Sequence, residues 1–286
     1  MDAAYNCERQ FFRRACRDFV IKPSLGIAVC EMGCSDMDSV GRFNDRAADY
    51  VRYRPTYPAE AVHAILDGLG PPASLVAADV GGGTGISARL LGDQGVRVVA
   101  VEPGEAMRRA ALPHPKVAWV AGRAEATGLR SQSVDLVLCA QSFHWFRTAD
   151  ALCEFARILE PRRRLAICWN RRSASDPLTV GYRAGIVETG GEITAERMSF
   201  DPDVIGDSGL FSPPERKSFP NVQRLDLDGL IGRARSASYA PKSGAAGERL
   251  ISLLHALHER HADASGFVTL VYETEVFCSK RLLASS

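Results

Sequence analysis

Ala78-Asp79-Val80-Gly81-Gly82-Gly83-Thr84-Gly85-Ile86 joins two stretches of different pattern. The apolar run Leu75 to Val80 enters it, and the helix-like stretch Ile86 to Leu91 leaves it. A strand therefore meets a helix through a turn holding four glycines in five positions. Glycine has no Cβ and tolerates φ > 0, so such a turn bends sharply and lets a ligand touch the backbone. The helix N-terminus behind it offers free N–H groups and the positive end of a dipole. The stretch reads as a cofactor loop.

Working outward, strands and helices alternate. The pattern predicts strands at Leu75–Val80, Val96–Val101, Val117–Ala121, Val134–Ala140 and Leu165–Trp169, with helices at Ile86–Gln94, Glu105–Ala111 and Thr148–Leu159. Strands this apolar, alternating with helices, imply a parallel sheet covered on both faces. After Asn170 the alternation fails, and residues 171–218 read as a cap inserted over the ligand end of the sheet. Leu178–Glu188 and Glu248–His261 are helix-like, and Val222–Leu227 and Phe267–Phe277 read as late strands. Upstream, Ala59–Leu69 is helix-like, and Phe43, Ala47, Tyr50 and Val51 fall at helical spacing before Pro55 and Pro58. Residues 1–36 are Arg-rich and match no clear targeting pattern; they read as a poorly ordered or non-native extension to a domain spanning 37–286.

The 286 residues are 46% hydrophobic and 24% charged, ordinary values for a chain that buries a core. A net charge of +1 gives no global case for nucleic acid or a membrane surface. Eight cysteines show no paired framework, which suggests a reducing, cytoplasmic setting; Cys139, Cys153 and Cys168 read as buried thiols. Cys30 and Cys34 have no second ligand pair, and His255, His258 and His261 walk around a helix axis, so no metal is expected.

Two cofactor classes use a Gly-rich strand–helix turn: dinucleotides and S-adenosylmethionine. The dinucleotide fingerprint must be forced onto Gly83-x-Gly85-x-x-Ala88, a weak match. Either cofactor calls for an acid at the end of the second strand to bond a ribose diol, and Glu102 stands there. Gly122-Arg123-Ala124-Glu125 and Gln141-Ser142-Phe143-His144-Trp145-Phe146 follow the third and fourth strands, at the carboxyl ends where open parallel sheets bind ligands.

These segments, with Tyr50-x-x-x-Arg54-Pro55-x-Tyr57-Pro58, Val101-Glu102-Pro103, Leu165-Ala166-Ile167-Cys168-Trp169-Asn170 and Arg233-x-Arg235-Ser236-x-Ser238-Tyr239-x-Pro241, resemble a class I S-adenosylmethionine-dependent methyltransferase of the trans-aconitate methyltransferase-like group. The resemblance runs from about Phe43 to Leu282. It implies a Rossmann-like α/β fold with a seven-stranded sheet of order 3-2-1-4-5-7-6, strand seven alone antiparallel. It also implies site roles. Gly81, Gly83 and Gly85 would pack against the methionine part of S-adenosyl-L-methionine, Asp79 would help hold its amino group, and Glu102 would bond the ribose. Ala124 and Glu125 would border the adenine, and Gln141 would lie under the sulfonium. One departure stands out: such enzymes usually carry Pro-Gly-Gly before strand five, where this chain has Glu160-Pro161-Arg162-Arg163-Arg164. Losing glycine costs about 1 kcal/mol wherever φ > 0 is demanded.

Transfer from a sulfonium is an in-line displacement, so alignment matters most. His144 is a candidate to orient the acceptor or take its proton, with Trp145, and less so Phe146, as pocket walls. Arg54 offers a bidentate fork for a carboxylate of cofactor or substrate; Arg235, Ser238 and Tyr239 are candidates from the cap. Arg162–Arg164 with Arg171 and Arg172 reads as a solvated basic face. The leading expectation is a methyltransferase acting on a small molecule. A macromolecular acceptor, or a non-catalytic S-adenosylmethionine-binding protein, are the alternatives.

Overall fold

The computed structural model describes residues 52–190, 201–237 and 239–283. The proposed extension 1–36, the segment around Tyr50, the Cys30/Cys34 pair and Ser238 lie outside the described residues. Seven strands form one sheet in the order β3-β2-β1-β4-β5-β7-β6. They are β1 Val76–Val80, β2 Arg97–Val101, β3 Val117–Val120, β4 Val134–Ala140, β5 Leu159–Arg172, β6 Glu215–Leu225 and β7 Val268–Lys280. β1 to β5 pair in parallel; β7 runs antiparallel to both β5 and β6. The order and the single reversed strand are those the sequence implied.

Why the central strands are apolar throughout follows from what covers them. Successive side chains leave opposite faces of a strand. Ala78 and Val80 of β1, Val137 and Cys139 of β4, and Leu165 and Ile167 of β5 share one core with Ala151, Leu152 and Phe155 of α4 (Thr148–Ile158). Ala77, Leu136, Leu138, Ala166 and Cys168 point the other way, into a core with α1 (Ala59–Leu66) and α2 (Ile86–Asp93). α3 (Glu105–Ala110) connects β2 to β3. Cys139 and Cys168 are buried as expected, but Cys153 is exposed, because it sits on the outer side of α4.

The expected insertion 171–218 is shorter in the structure, and a second excursion joins it over the strand ends. Arg171 and Arg172 still belong to β5, and β6 already starts at Glu215. Between them lie α5 (Pro177–Glu188) and the short α6 (Asp203–Asp207). A second excursion, between β6 and β7, supplies α7 (Leu227–Arg235) and α8 (Gly244–His261). Leu178, Tyr182 and Ile186 of α5, Leu230 and Ala234 of α7, and Leu250 and Leu254 of α8 form a third core with Leu225, Val268 and Leu270. Fully burying such side chains contributes about 1.5–3 kcal/mol each. That packing holds the cap in place above the sheet.

The turn that lacks Pro-Gly-Gly is a bulge. β4–β5 pairing jumps from Val134↔Leu159 to Leu136↔Arg164. Arg162 sits in the gap at φ +63°, a left-handed conformation L side chains rarely adopt. Its neighbours are tied down: Arg163 pairs with Asp135 at 2.8 Å and Arg164 donates to the Ile65 carbonyl at 2.6 Å. Two of the five arginines of the expected basic face, Arg163 and Arg164, are therefore structural.

Candidate active site

The glycine turn sits at the carboxyl end of β1. Gly81 and Gly82 donate to the Val101 carbonyl at 2.8 and 3.2 Å, fastening the turn to β2. Gly81, Gly83 and Gly85 have φ of +70°, +55° and +79°. A Cβ on Gly81 would stand 2.5 Å from Ser142 Cβ, and one on Gly85 would stand 2.8 Å from the Trp119 ring. Both backbone shape and space therefore require glycine here.

Two carboxyl groups frame the turn. Glu102, just past β2, accepts N–H groups from Gly83 at 3.0 Å and Gly104 at 2.8 Å, so it joins the turn to the next loop. Burial raises its pKa, opposed by those two N–H groups and Arg108. A carboxylate has about four acceptor positions, so two remain for a diol. Asp79 is wholly buried; Ser87 Oγ donates to its Oδ2 at 2.7 Å, and its Oδ1 has no hydrogen-bond partner among the described residues. Burial pushes its pKa up to about 7, only partly offset by Ser87 and the Ala88 N–H. A buried, half-satisfied carboxyl beside a glycine cradle fits a ligand that carries an ammonium group, as S-adenosylmethionine does. Ala124 lies in the core next to Val101. Glu125 accepts the Arg147 N–H at 2.8 Å, which links the segment after β3 to the start of α4.

Beyond the turn lies a cavity of about 360 Å³. Arg54, Gln141, His144 and Trp145, all picked out from the sequence, line it. Arg54 reaches it because the Arg54-Pro55-Thr56-Tyr57 segment is strapped across the strand ends. Gln223 donates to the Tyr53 carbonyl, Asn170 and Asn221 to the Thr56 carbonyl, and Arg54 itself to the Ser236 carbonyl. Gln141 holds φ +55° and donates to the Asn170 carbonyl at 3.0 Å. A non-glycine residue in that conformation stores strain of order 1–3 kcal/mol, a mark often found at functional sites.

His144 packs beside Trp145 and Trp169, with ring centroids 4.6 and 5.0 Å away. Its Nδ1 is buried with no hydrogen-bond partner among the described residues. Burial, and then the Arg54 charge, lower its pKa to about 4, so the ring is neutral at neutral pH. Phe146 turns away and packs edge-on against Phe143 and Phe155. It belongs to the core, not the pocket.

The far wall of the cavity departs from expectation. Arg172 lines it instead of forming a solvated face, since β5 extends far enough to carry it there; Arg171 reaches the mouth but is exposed and pairs with Glu275 at 3.1 Å. Arg233 and Tyr239 line it from the cap, whereas Arg235 is exposed. Two residues along a helix differ by about 200°, so Arg233 and Arg235 face opposite ways. Arg233 could have been found: Leu230, Arg233, Ala234 and Ala237 share one helical face, and an arginine on an apolar stripe needs a reason. Trp169, Asn170 and Tyr272 also line the cavity and were missed. Among the described residues, no group of three or more metal-ligating side chains occurs.

The model of the methyltransferase domain family matches residues 78–167, the segment from the glycine turn into β5. An uncharacterized methyltransferase of Mycobacterium tuberculosis is 36% identical over 200 residues, 69% of this chain and 73% of that one. The chain belongs to the methyltransferase family. Among solved structures, a protein described as a type II methyltransferase from Anaeromyxobacter dehalogenans aligns with a TM-score of 0.56 at 26% identity, covering 82% of this methyltransferase and all of its counterpart. A Haemonchus contortus phosphoethanolamine N-methyltransferase, solved with S-adenosylhomocysteine and phosphomonomethylethanolamine, shares the fold at a TM-score of 0.51 and 14% identity, covering 87% of this chain and 59% of that one. The family match covers the glycine turn, Glu102 and His144; Arg172, Arg233 and Tyr272 fall outside it.

Proposed function

We propose that this methyltransferase uses S-adenosyl-L-methionine and acts on a small-molecule acceptor bound in the 360 Å³ cavity. The observation that carries the reading is continuity. Ile86, which follows the glycine turn and starts α2, lines the cavity, and Arg233 and Tyr239 of the cap line it from the other side. When bound, the cofactor supplies an electrophilic methyl group on a positively charged sulfur.

The residues divide the work. Gly81, Gly83 and Gly85 admit the methionine part, Asp79 accepts from its ammonium group, and Glu102 accepts from the ribose hydroxyls. Ala124 and Glu125 border the adenine. Gln141, strained and anchored to Asn170, sets the floor beneath the reacting atoms. Arg54 faces a carboxylate from above. Neutral His144 orients the acceptor or takes its proton. Trp145 closes the side. Holding two reactants in line supplies about 7–11 kcal/mol of a barrier, which is the main contribution such a site makes. A cavity of this size suits a small acceptor more than a polymer. No nucleic-acid partner is proposed. Among the described residues, no helix is long and apolar enough to cross a membrane.

Titration calorimetry tests the reading. S-adenosylmethionine and S-adenosylhomocysteine should bind while NAD gives no heat; tight NAD binding with silent S-adenosylhomocysteine would overturn it. Glu102→Ala removes the diol acceptor and two loop N–H bonds, and should weaken S-adenosylhomocysteine binding by about tenfold or more. Unchanged affinity would take away its ribose role.

A further inference from the structure

Much of the strap's attachment runs through one carbonyl oxygen. The Thr56 carbonyl accepts from Asn170 Nδ2 at 3.1 Å and from Asn221 Nδ2 at 2.9 Å. Asn221 also donates to Asn170 Oδ1 at 3.1 Å, and Thr274 Oγ1 donates to that same oxygen at 2.5 Å. The three side chains come from three neighbouring strands. Asn170 is in β5, Thr274 stands directly opposite it in β7, and Asn221 belongs to the edge strand β6. All three are buried, Thr274 completely. An amide presents an acceptor on one side and donors on the other. Turned over, Asn170 would set its NH₂ against the NH₂ of Asn221 and its oxygen against the Thr56 carbonyl. Those two neighbours forbid the reversed amide, and the Thr274 hydroxyl holds the allowed one in place.

A second rung runs beside the first. Tyr272 Oη donates to Gln223 Oε1 at 3.3 Å, and Gln223 Nε2 donates to the Tyr53 carbonyl at 2.9 Å. The Tyr53 ring is seated on α7 at Gly232, where a Cβ would collide with it. Between the two rungs Arg54 reaches the cavity, with Nη2 donating to the Ser236 carbonyl at 3.0 Å. The main-chain carbonyl of Asn170 meanwhile accepts from Gln141 Nε2 at 3.0 Å. One residue of β5 therefore holds the strap with its side chain and the cavity floor with its backbone. Every partner on the strap side is a backbone carbonyl, so these bonds fix where the strap lies and not what it is made of. An arginine fork answers a carboxylate well only in a narrow geometry, so the placement of the strap decides what Arg54 can do.

We infer that Asn170, Asn221 and Thr274 are positioning residues that register the strap over the site, so that Arg54 meets the carboxylate of the bound cofactor. This deepens the cofactor reading above and rests on it. Thr274 is wholly buried and is not one of the residues lining the cavity. It acts at one remove, through the Asn170 amide. Without its hydroxyl, Asn170 Oδ1 keeps one donor of two in a place closed to water, and the amide loses the bond that aims its Nδ2 at Thr56.

Thr274→Val and Thr274→Ser separate the hydroxyl from the packing. Valine keeps the shape and removes the donor; serine keeps the donor and removes the methyl group. Hydrogen exchange on the ligand-free full chain reads the strap itself. The amides of residues 53, 54, 56 and 57 should exchange about threefold to tenfold faster in Thr274→Val, the range set by one lost hydrogen bond, and at near wild-type rates in Thr274→Ser. Amides of β1 and β4 should keep their rates in both. Calorimetry then compares S-adenosylhomocysteine with 5′-methylthioadenosine, a similar nucleoside thioether without the amino-acid part. Thr274→Val should bind the first about threefold to tenfold more weakly and the second within about twofold of wild type; Thr274→Ser should bind both as wild type does. If Thr274→Val does not fold, Asn221→Ala removes two donors from the edge strand and carries the same expectations. The inference is overturned if strap exchange is unchanged in the folded variant, if serine behaves as valine does, or if both ligands weaken alike, as a merely structural role would have it. Wild-type protein that does not bind S-adenosylhomocysteine would overturn the cofactor reading instead, and exchange at the strap, which needs no ligand, then decides the positioning role by itself.

Discussion

Asp79 carries a charge in the worst place for one, and replacing it should make the ligand-free protein more stable. It is the single acid in a strand whose every residue is buried. Burial moves its carboxyl from 3.8 to about 7. The folded state therefore holds its proton more tightly than the unfolded chain. Its share of stability is complete below about pH 4 and is lost as pH rises through about 7. At about 1.4 kcal/mol for each factor of ten, full ionisation costs about 4 kcal/mol. Asp79→Asn removes that cost. The amide oxygen keeps the Ser87 and Ala88 donors, but the new NH₂ group has no acceptor in the place of Oδ1, a loss of about 1–3 kcal/mol. The net gain at pH 8 should be about 1–3 kcal/mol, or roughly 2–4 °C in melting temperature per kcal/mol. Melting curves of both proteins at pH 5 and pH 8 read it directly. His144 adds its own pH dependence over this range through protonation in the unfolded chain, but it does so in both proteins and cancels in the difference. The reasoning is refuted if the variant melts lower than wild type at pH 8, or if the gap between them does not widen from pH 5 to pH 8. The same substitution should weaken S-adenosylhomocysteine binding, because an amide does not answer an ammonium group as a carboxylate does.

His144→Ala should lower turnover by about tenfold or more while S-adenosylhomocysteine affinity stays within about twofold; equal losses in both would make the ring a structural part. With its pKa held near 4, the ring is neutral from pH 5 upward, so the rate profile should show no histidine limb between pH 5 and 8, and a limb near 6.5 would contradict the burial argument. Stability linked to this ring runs opposite to that of Asp79: it is lost as pH falls from about 6.5 toward 4. Arg162→Gly should raise stability by about 0.5–1 kcal/mol, since relief of the left-handed conformation exceeds the added chain entropy; the urea midpoint should rise at constant slope, and a lower midpoint would show that Arg162 makes an interaction worth more than its strain.

The half of the site that meets the proposed cofactor was legible because its determinants are local. Gly81 to Gly85 sit in one turn, Glu102 follows a strand marked by Val98 to Val101, and His144 and Trp145 follow another. Each is placed by the strand just before it, so reading strand ends was enough. The missing Pro-Gly-Gly was also legible as strain, and it surfaces at one residue, Arg162. The arginine wall of the cavity was not legible. Arg172 was hidden because a run of arginines looks like a wet surface, and only the β5–β7 register, Arg172 opposite Tyr272, shows the strand carrying it inward. Arg233 was hidden because Arg172, Tyr182 and Tyr272 are distant in the chain and meet it only when α5 and α7 close over the sheet.

The two walls carry opposite charge, and that division has a consequence for how reactants lie. At the glycine turn, Asp79 and Glu102 are acids whose burial raises their pKa, ready to answer a cationic ligand. Across the cavity, Arg172 and Arg233 are cations set among the phenols of Tyr239 and Tyr272. Gln141 and a neutral His144 lie along the same cavity. If the proposed cofactor binds at the glycine turn, its positive charge is favoured at the acidic end and opposed at the arginine end. On that reading the field favours the sulfonium toward the turn before any contact is made. A neutral His144 leaves that field undisturbed, and a protonated one would add charge beside Arg54. This gives a physical reason for a buried histidine whose pKa is held far below the working range.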